Sequence, residues 1–327
     1  MTSMDAVPYG AKGEALPEIR PIVTFTRADH IEFKPTDWLI RNWLVKNTLA
    51  GIVGPSGAGK SFLAVDWACR VATGTHWLGH RVERGGVFYL AGEGQQGLSK
   101  RIRAWEQHFS QPIAGSPLFL ADSLPFLCED LQTFGTIDAI EAFTEEMFFD
   151  MGSAEPALIV LDTVARAMSG ADENSAKDMG ALIRSMDFLR NRWGATVLAI
   201  HHTGHGPTDR ARGSSAFKAA LDSEFLLKPD ANSVELAGIK EKDWAKPNGV
   251  ILEKVKVPIQ YTDTAGIVHR DDSLVLQSSI AAAIDANKRA RCWKLAQEGS
   301  SEREIAAELD LPKTKVHRWL KEAGAHE

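Results

Sequence analysis

Apolar runs that end in small or polar residues alternate along this chain with stretches of helical periodicity. Thr48–Val53, Val87–Leu90, Ala157–Leu161 and Thr196–Ile200 are mostly apolar at consecutive positions, the pattern of strands buried on both faces. Between them, Leu63, Trp67, Ala68 and Val71 recur at helical spacing within Phe62–Ala72, as do Leu182, Met186 and Leu189 within Ala181–Trp193. Leu98–Phe109 reads as an amphipathic helix with Lys100, Arg101 and Arg103 on one face, and Ile137–Phe149 as a further helix. A short strand-like piece lies at Leu118–Leu120, and Trp38, Leu39, Ile40, Trp43 and Leu44 form an apolar segment covering one edge. Strand then helix, repeated, predicts an α/β fold with a central, mostly parallel twisted sheet flanked by helices.

Beyond residue 220 the period shortens. Glu224–Leu227, Ser233–Lys240 and Val250–Tyr261 read as strands separated by Pro- and Gly-containing turns. Val255, Val257 and Ile259 alternate with Lys256 and Gln260, the mark of a half-buried antiparallel strand. A polar, turn-rich stretch then predicts a linker over residues 266–282. The C-terminal residues 283–325 read as a small all-α domain. Ser301 precedes Glu304 by three residues, a capping box, and Asp310-Leu311-Pro312 breaks two short helices. Helix, tight turn and basic helix resemble a helix-turn-helix of the resolvase or regulator type, with Lys313, Thr314, Lys315, His317 and Arg318 toward DNA. Residues 281–327 carry nine Lys/Arg against eight Asp/Glu, so a protein-docking role for this piece stays open beside the nucleic-acid one. Residues 1–30 read as a mobile N-terminal tail and 31–265 as the large domain.

Composition narrows the class. Of 327 residues, 44% are hydrophobic and 24% charged, as in globular proteins, and no run approaches the ~18 apolar residues of a membrane span. The polar N-terminus predicts no export signal, and Cys69, Cys128 and Cys292 are far apart, which suits a reducing cytoplasm. A net charge of −6 argues against a surface coated for duplex DNA, but not against positive charge confined to a channel or one small domain.

The densest chemistry lies at Gly54-Pro55-Ser56-Gly57-Ala58-Gly59-Lys60-Ser61, which matches G-x-x-x-x-G-K-[ST] between a strand and a helix. Glycines let successive N–H groups curl around an anion, and the helix N-terminus adds its positive end. Lys60 is placed to reach the β- and γ-phosphates of ATP, and the Ser61 hydroxyl to ligate Mg²⁺. Apolar residues followed by Asp162 have the form of the second nucleotide motif, whose carboxylate holds Mg²⁺. Thr163 rather than a second acid follows, so the general base is sought on another strand: Glu93, after Val87–Leu90, or else an ordinary solvated glutamate. The fourth strand ends in His201-His202-Thr203-Gly204-His205, imidazoles for a γ-phosphate or, alternatively, a metal. Trp38 and its neighbours either flank an adenine or simply pack.

Taken in order, GPSGAGKS, YLAGEG, LIVLDT, AIHHTGHG and ARGSSAF resemble the RecA-like P-loop ATPases, in the branch of the plasmid and phage RepA-type hexameric replicative helicases. The resemblance covers about residues 35–262. It implies a RecA-like fold with ATP at the interface between copies, Glu93 as base, Asp162 as Mg²⁺ acid, and His201 or His202 as γ-phosphate sensor. It further implies that Arg212 is an arginine finger, and that Lys240 and Lys242 sit where relatives carry a Lys-x-Arg pair reaching across the interface. Lys242 cannot make the bidentate contact of Arg. The loops after Asp162 and His202 would line a central channel for single-stranded DNA, offering Arg166, Lys177, Arg210 and Lys218 against Asp172, Glu173 and Asp209, with no aromatic stacking platform. The expected function is an ATP-hydrolysing, hexameric DNA helicase of a plasmid or phage type. An ATP-switched DNA-binding regulator or recombination/repair accessory ATPase without helicase activity, and an ATPase scaffold that docks partners, are the alternatives.

Overall fold

The computed structural model describes residues 25–92, 95–151, 155–203, 215–262, 266–278 and 280–324. The chain divides into two compact units, residues 1–36 and 37–327. The described part of the first holds one 3-10 turn, Ala28–His30, beside an Arg27–Asp29 ion pair.

The second unit is built on a nine-stranded sheet. Its strands are β3 (Leu49–Gly54), β4 (Gly86–Ala91), β5 (Leu118–Leu120), β6 (Pro156–Asp162), β7 (Thr196–His202), β8 (Ser223–Pro229), β9 (Ser233–Glu241), β10 (Val250–Thr262) and β11 (Val268–Ser278). A small hairpin of β1 (Trp38–Ile40) and β2 (Leu44–Val45) precedes them. The order across the sheet is β11-β10-β9-β8-β3-β7-β6-β4-β5, parallel from β8 to β5 and antiparallel from β8 to β11. The mostly parallel sheet flanked by helices therefore matches the expected class.

Helices α1 (Lys60–Thr73) and α2 (Gln95–Phe109) cover one face, with β10 and β11 curling onto them. On the other face, α4 (Val164–Ala167) and α5 (Ala176–Trp193) lie against the strands, with α3 (Asp130–Met151) and α6 (Ser215–Ala220) packed on α5. The period-2 geometry of strands sorts side chains between two cores. Val87, Tyr89, Leu158, Val160, Leu198 and Ile200 face α1, whereas Phe88, Leu90, Ile159, Leu161, Val197 and Ala199 face α5.

Residues 165–178, whose Gly, Asp and Asn content suggests a mobile loop, instead hold the rest of α4 after Val164 and the Ser175 cap of α5, whose hydroxyl accepts from the Asp178 amide. Residues 268–278, within the stretch predicted as a linker, form β11, paired with β10 along its length. Its charges find distant partners: Asp271 with Lys100, and Asp272 with Lys256 at 2.6 Å. Downstream, α7 (Ile280–Gln297), α8 (Glu302–Glu308) and α9 (Lys313–Gly324) bury Cys292, Leu295, Ile305, Leu309, Val316 and Trp319 together. The Ser301–Glu304 capping box is formed at α8. No helix among the described residues is long and apolar enough to cross a membrane.

Helix α1 is anchored by a charge. Asp66, 3% exposed, accepts from Trp77 Nε1 and Trp105 Nε1 at 2.7 Å each and from Arg70 Nε at 3.1 Å. The Arg70 guanidinium in turn lies 4.2 Å from the Phe109 ring centre. Burying a carboxylate costs several kcal/mol, which three donors, one of them a cation, offset, so removing it strands all of them. Asp66→Ala is expected to lower unfolding free energy by about 3 kcal/mol in a denaturant titration; a change below about 1 kcal/mol, the scale of an exposed pair, would show the network to be dispensable.

Candidate nucleotide site

The glycine-rich segment joins the carboxyl end of β3 to the first turn of α1. Gly57 and Gly59 take φ of 76° and 98°, a region costly for other residues, and Gly59 caps α1. Gly54 has no room for a side chain, since a Cβ there would lie 2.5 Å from the Leu227 carbonyl oxygen. At Gly57 the space is open.

Lys60 is 5% exposed, and its ammonium donates to the carbonyls of Gly54 and Pro55 at 2.9 Å each. His202 Nδ1 is 3.1 Å from the same nitrogen. An ammonium has donors only, so Nδ1 is assigned as acceptor, which places the imidazole proton on Nε2. The Thr203 amide donates to the Gly54 carbonyl at 3.1 Å, tying the end of β7 to the loop.

Asp162 ends β6, two strands from β3, with β7 between. Alternation puts its carboxylate on the α1 face, 7% exposed, where the buried Tyr89 hydroxyl donates to Oδ2 at 2.7 Å. Burial, and then the Asp162 charge, push the Tyr89 phenol well above its ordinary pKa, which keeps it a donor. Tyr89 opens the YLAGEG segment, which gives it no role of its own; the further signal in the sequence is its even spacing from the end of β4, on the face Asp162 shares.

The structure separates the paired histidines. His202 faces the loop, whereas His201 is fully buried on the opposite face, edge-on to Phe217 at 5.1 Å. Glu93, Arg210 and Arg212 lie outside the described residues. Gly92, next to Glu93, donates its amide to the Asp162 carbonyl, and a Cβ on it would meet Arg166 Cβ at 2.5 Å. Arg166 is thus exposed beside the turn that leads to Glu93.

Lys218, Lys240 and Lys242 lie elsewhere. Lys240 donates to the carbonyls of Lys218, Ala219 and Leu221, closing the end of α6. Burial, then the Lys242 charge, lower its pKa. Lys242 Nζ is 3.2 Å from Asp222 Oδ1, and Lys218 Nζ is 3.0 Å from the fully buried Glu224. Glu224, opposite Lys240 in the β8–β9 register, is three residues, about 10 Å, before Leu227, which touches the loop. Along α9, Lys313, Thr314, His317, Arg318 and Lys321 are exposed, with His317 paired to Glu302 at 2.8 Å. Lys315 is half-buried, its ammonium 5.0 Å from the Trp319 ring centre.

A strand, a curled glycine loop, a buried lysine at a helix head and an acid on the same face of a mostly parallel sheet define a P-loop nucleotide-binding protein. Residues 14–208, more than half of the chain, match the family described as AAA domain, and the chain belongs to it, with an AAA-type P-loop ATPase domain. Such a domain implies nucleotide binding, typically with Mg²⁺. The residues present fit that ligand. The Ser61 hydroxyl and the Asp162 carboxylate are the hard oxygen donors Mg²⁺ takes, and nothing lies within 4 Å of a side-chain position at Gly57 on the loop.

The two histidines are expected to respond differently. His201→Ala should cost on the order of 2 kcal/mol of stability as a core truncation and leave nucleotide affinity unchanged. His202→Ala should cost less stability than His201→Ala, since the Gly54 and Pro55 carbonyls still pair Lys60, and should alter affinity for a fluorescent ATP analogue. Denaturant unfolding and a binding titration on each variant check this, and the reverse pattern would refute the division of faces.

Proposed function

We propose that this protein is an ATP-hydrolysing motor acting on nucleic acid, a ring-forming, hexameric DNA helicase of the plasmid or phage replication type. The observation that carries the ATPase part is the convergence of Lys60, His202 and Asp162 on the α1 face at the carboxyl ends of β3, β7 and β6. The RepA-type motif order supports the helicase part.

In this reading the loop amides and Lys60 bind the phosphates, and Ser61 and Asp162 hold Mg²⁺, which supplies charge neutralisation at the phosphate oxygens. Glu93 accepts the proton of the attacking water. His202, which faces the loop, senses the γ-phosphate; His201, packed in the far core, does not. Arg212 acts on the site of a neighbouring copy. Lys240 is held by the end of α6 and Lys242 by Asp222, and their nucleotide role is read as one in trans, at the site of a neighbouring copy. Arg166 and Arg210 face single-stranded DNA in the channel. Lys218 is engaged by Glu224 and adds structure there.

The exposed residues of α9 favour a second function for the tail, duplex DNA binding through a helix-turn-helix, with Lys313, Thr314, His317 and Arg318 as contacts. An ATP-switched regulator without unwinding activity would use the same surface.

Glu93→Gln is expected to bind ATP and not hydrolyse it, and Arg212→Ala to bind without turnover. Mixing Arg212→Ala with Lys60→Ala should restore part of the turnover, because some interfaces then combine an intact loop with an intact finger. Normal turnover by Glu93→Gln would remove it as base, and absence of rescue would remove the finger in trans. A strand-displacement assay separates the helicase from the regulator, which would bind duplex without parting it.

A further inference from the structure

We propose that Tyr89 is a positioning residue for the metal-binding carboxylate of Asp162, setting how tightly the site holds Mg²⁺ with its nucleotide. The inference rests on the role given to Asp162 above and adds to it a residue of the YLAGEG segment to which the motif reading gives no role.

The geometry carries it. Parallel pairing puts Ala91 opposite Asp162 and Tyr89 opposite Val160, so the phenol reaches forward along the sheet, under α1, to meet the last residue of β6. Tyr89 is 1% exposed and Asp162 7%. A hydroxyl in such a place costs about 1–3 kcal/mol unless it is paired, and its partner here is Asp162 Oδ2 at 2.7 Å. Neighbouring positions of β4 carry Val87, Phe88 and Leu90, which pack without a polar atom. A phenylalanine would fill the same space, so the hydroxyl is explained by the carboxylate and not by the core.

Among the described residues, Tyr89 is the side chain that donates to Asp162. An ionised carboxylate only accepts, and a donor on one oxygen fixes the plane of the group and leaves Oδ1 as the atom for other duty. Hydrogen-bond partners behind a metal ligand are worth roughly 10- to 100-fold in metal affinity. Tyr89 thus holds Asp162 in one orientation before any cation arrives.

Tyr89→Phe in the full chain tests this without relying on turnover. Affinity for a fluorescent ATP analogue is measured in EDTA and across a Mg²⁺ titration. The expected result is a Mg²⁺ requirement raised about 10- to 100-fold, with affinity in EDTA equal to the parent's. In an Asp162→Asn background the same substitution should add nothing, since the two act through one bond. A parent-like Mg²⁺ requirement, or an equal loss with and without Mg²⁺, would make the hydroxyl a packing group and overturn the proposal. If Asp162→Asn shifts the requirement and Tyr89→Phe does not, only this inference fails. If Asp162→Asn itself leaves the requirement unchanged, the metal role of Asp162 fails with it.

Discussion

An ammonium held almost out of water is the constraint around which the site is arranged. Lys60 is 5% exposed at the head of α1, where an unpaired charge would cost several kcal/mol. The loop bends so that the Gly54 and Pro55 carbonyls face back onto it, and β7 ends so that His202 does too. Glycine at 54 follows from this crowding, because the Leu227 carbonyl of the neighbouring strand fills the place of a side chain. In the proposed function a charge placed this way is close to a phosphate chain that enters along the loop, so that one geometry would serve binding and folding.

The second constraint is alternation. Parallel strands in register bring their carboxyl ends to one edge, and a period of two decides which of two adjacent residues faces α1. That parity separates His202 from His201, and sets Tyr89 beneath Asp162 on the same face. The antiparallel extension β9–β11 adds cover over α1 and α2, with Leu276 close to Gly59. The buried Asp66 then fixes α1 itself, through two indoles and a guanidinium.

Much of this was legible in the chain. The phosphate loop, the four buried strands and the Ser301 capping box are local patterns, and local geometry realises them. The face of each histidine was not legible from their adjacency, because it depends on where β7 begins its alternation. Strand β11 was hidden by Arg270, Asp271 and Asp272, whose charges suggest a loop until Lys100 and Lys256 are brought beside two of them. The partners Lys240 has within its own chain, helix-end carbonyls about twenty residues earlier, are likewise announced by no spacing rule. Tyr89 read as one more apolar residue of a buried strand. In each case the deciding partner lies far away in sequence.

The chain thus joins an AAA-type ATPase domain to a C-terminal trio of helices with a basic exposed face. Hydrolysis at this site is proposed to be coupled to nucleic acid. The most direct measurement is the steady-state ATPase rate of the full chain with and without single-stranded DNA, read beside its particle mass in ATP. The account predicts a rate that rises when single-stranded DNA is added, in particles several times the 35.8 kDa mass of one chain. A rate indifferent to DNA, in particles of one chain's mass, would contradict it.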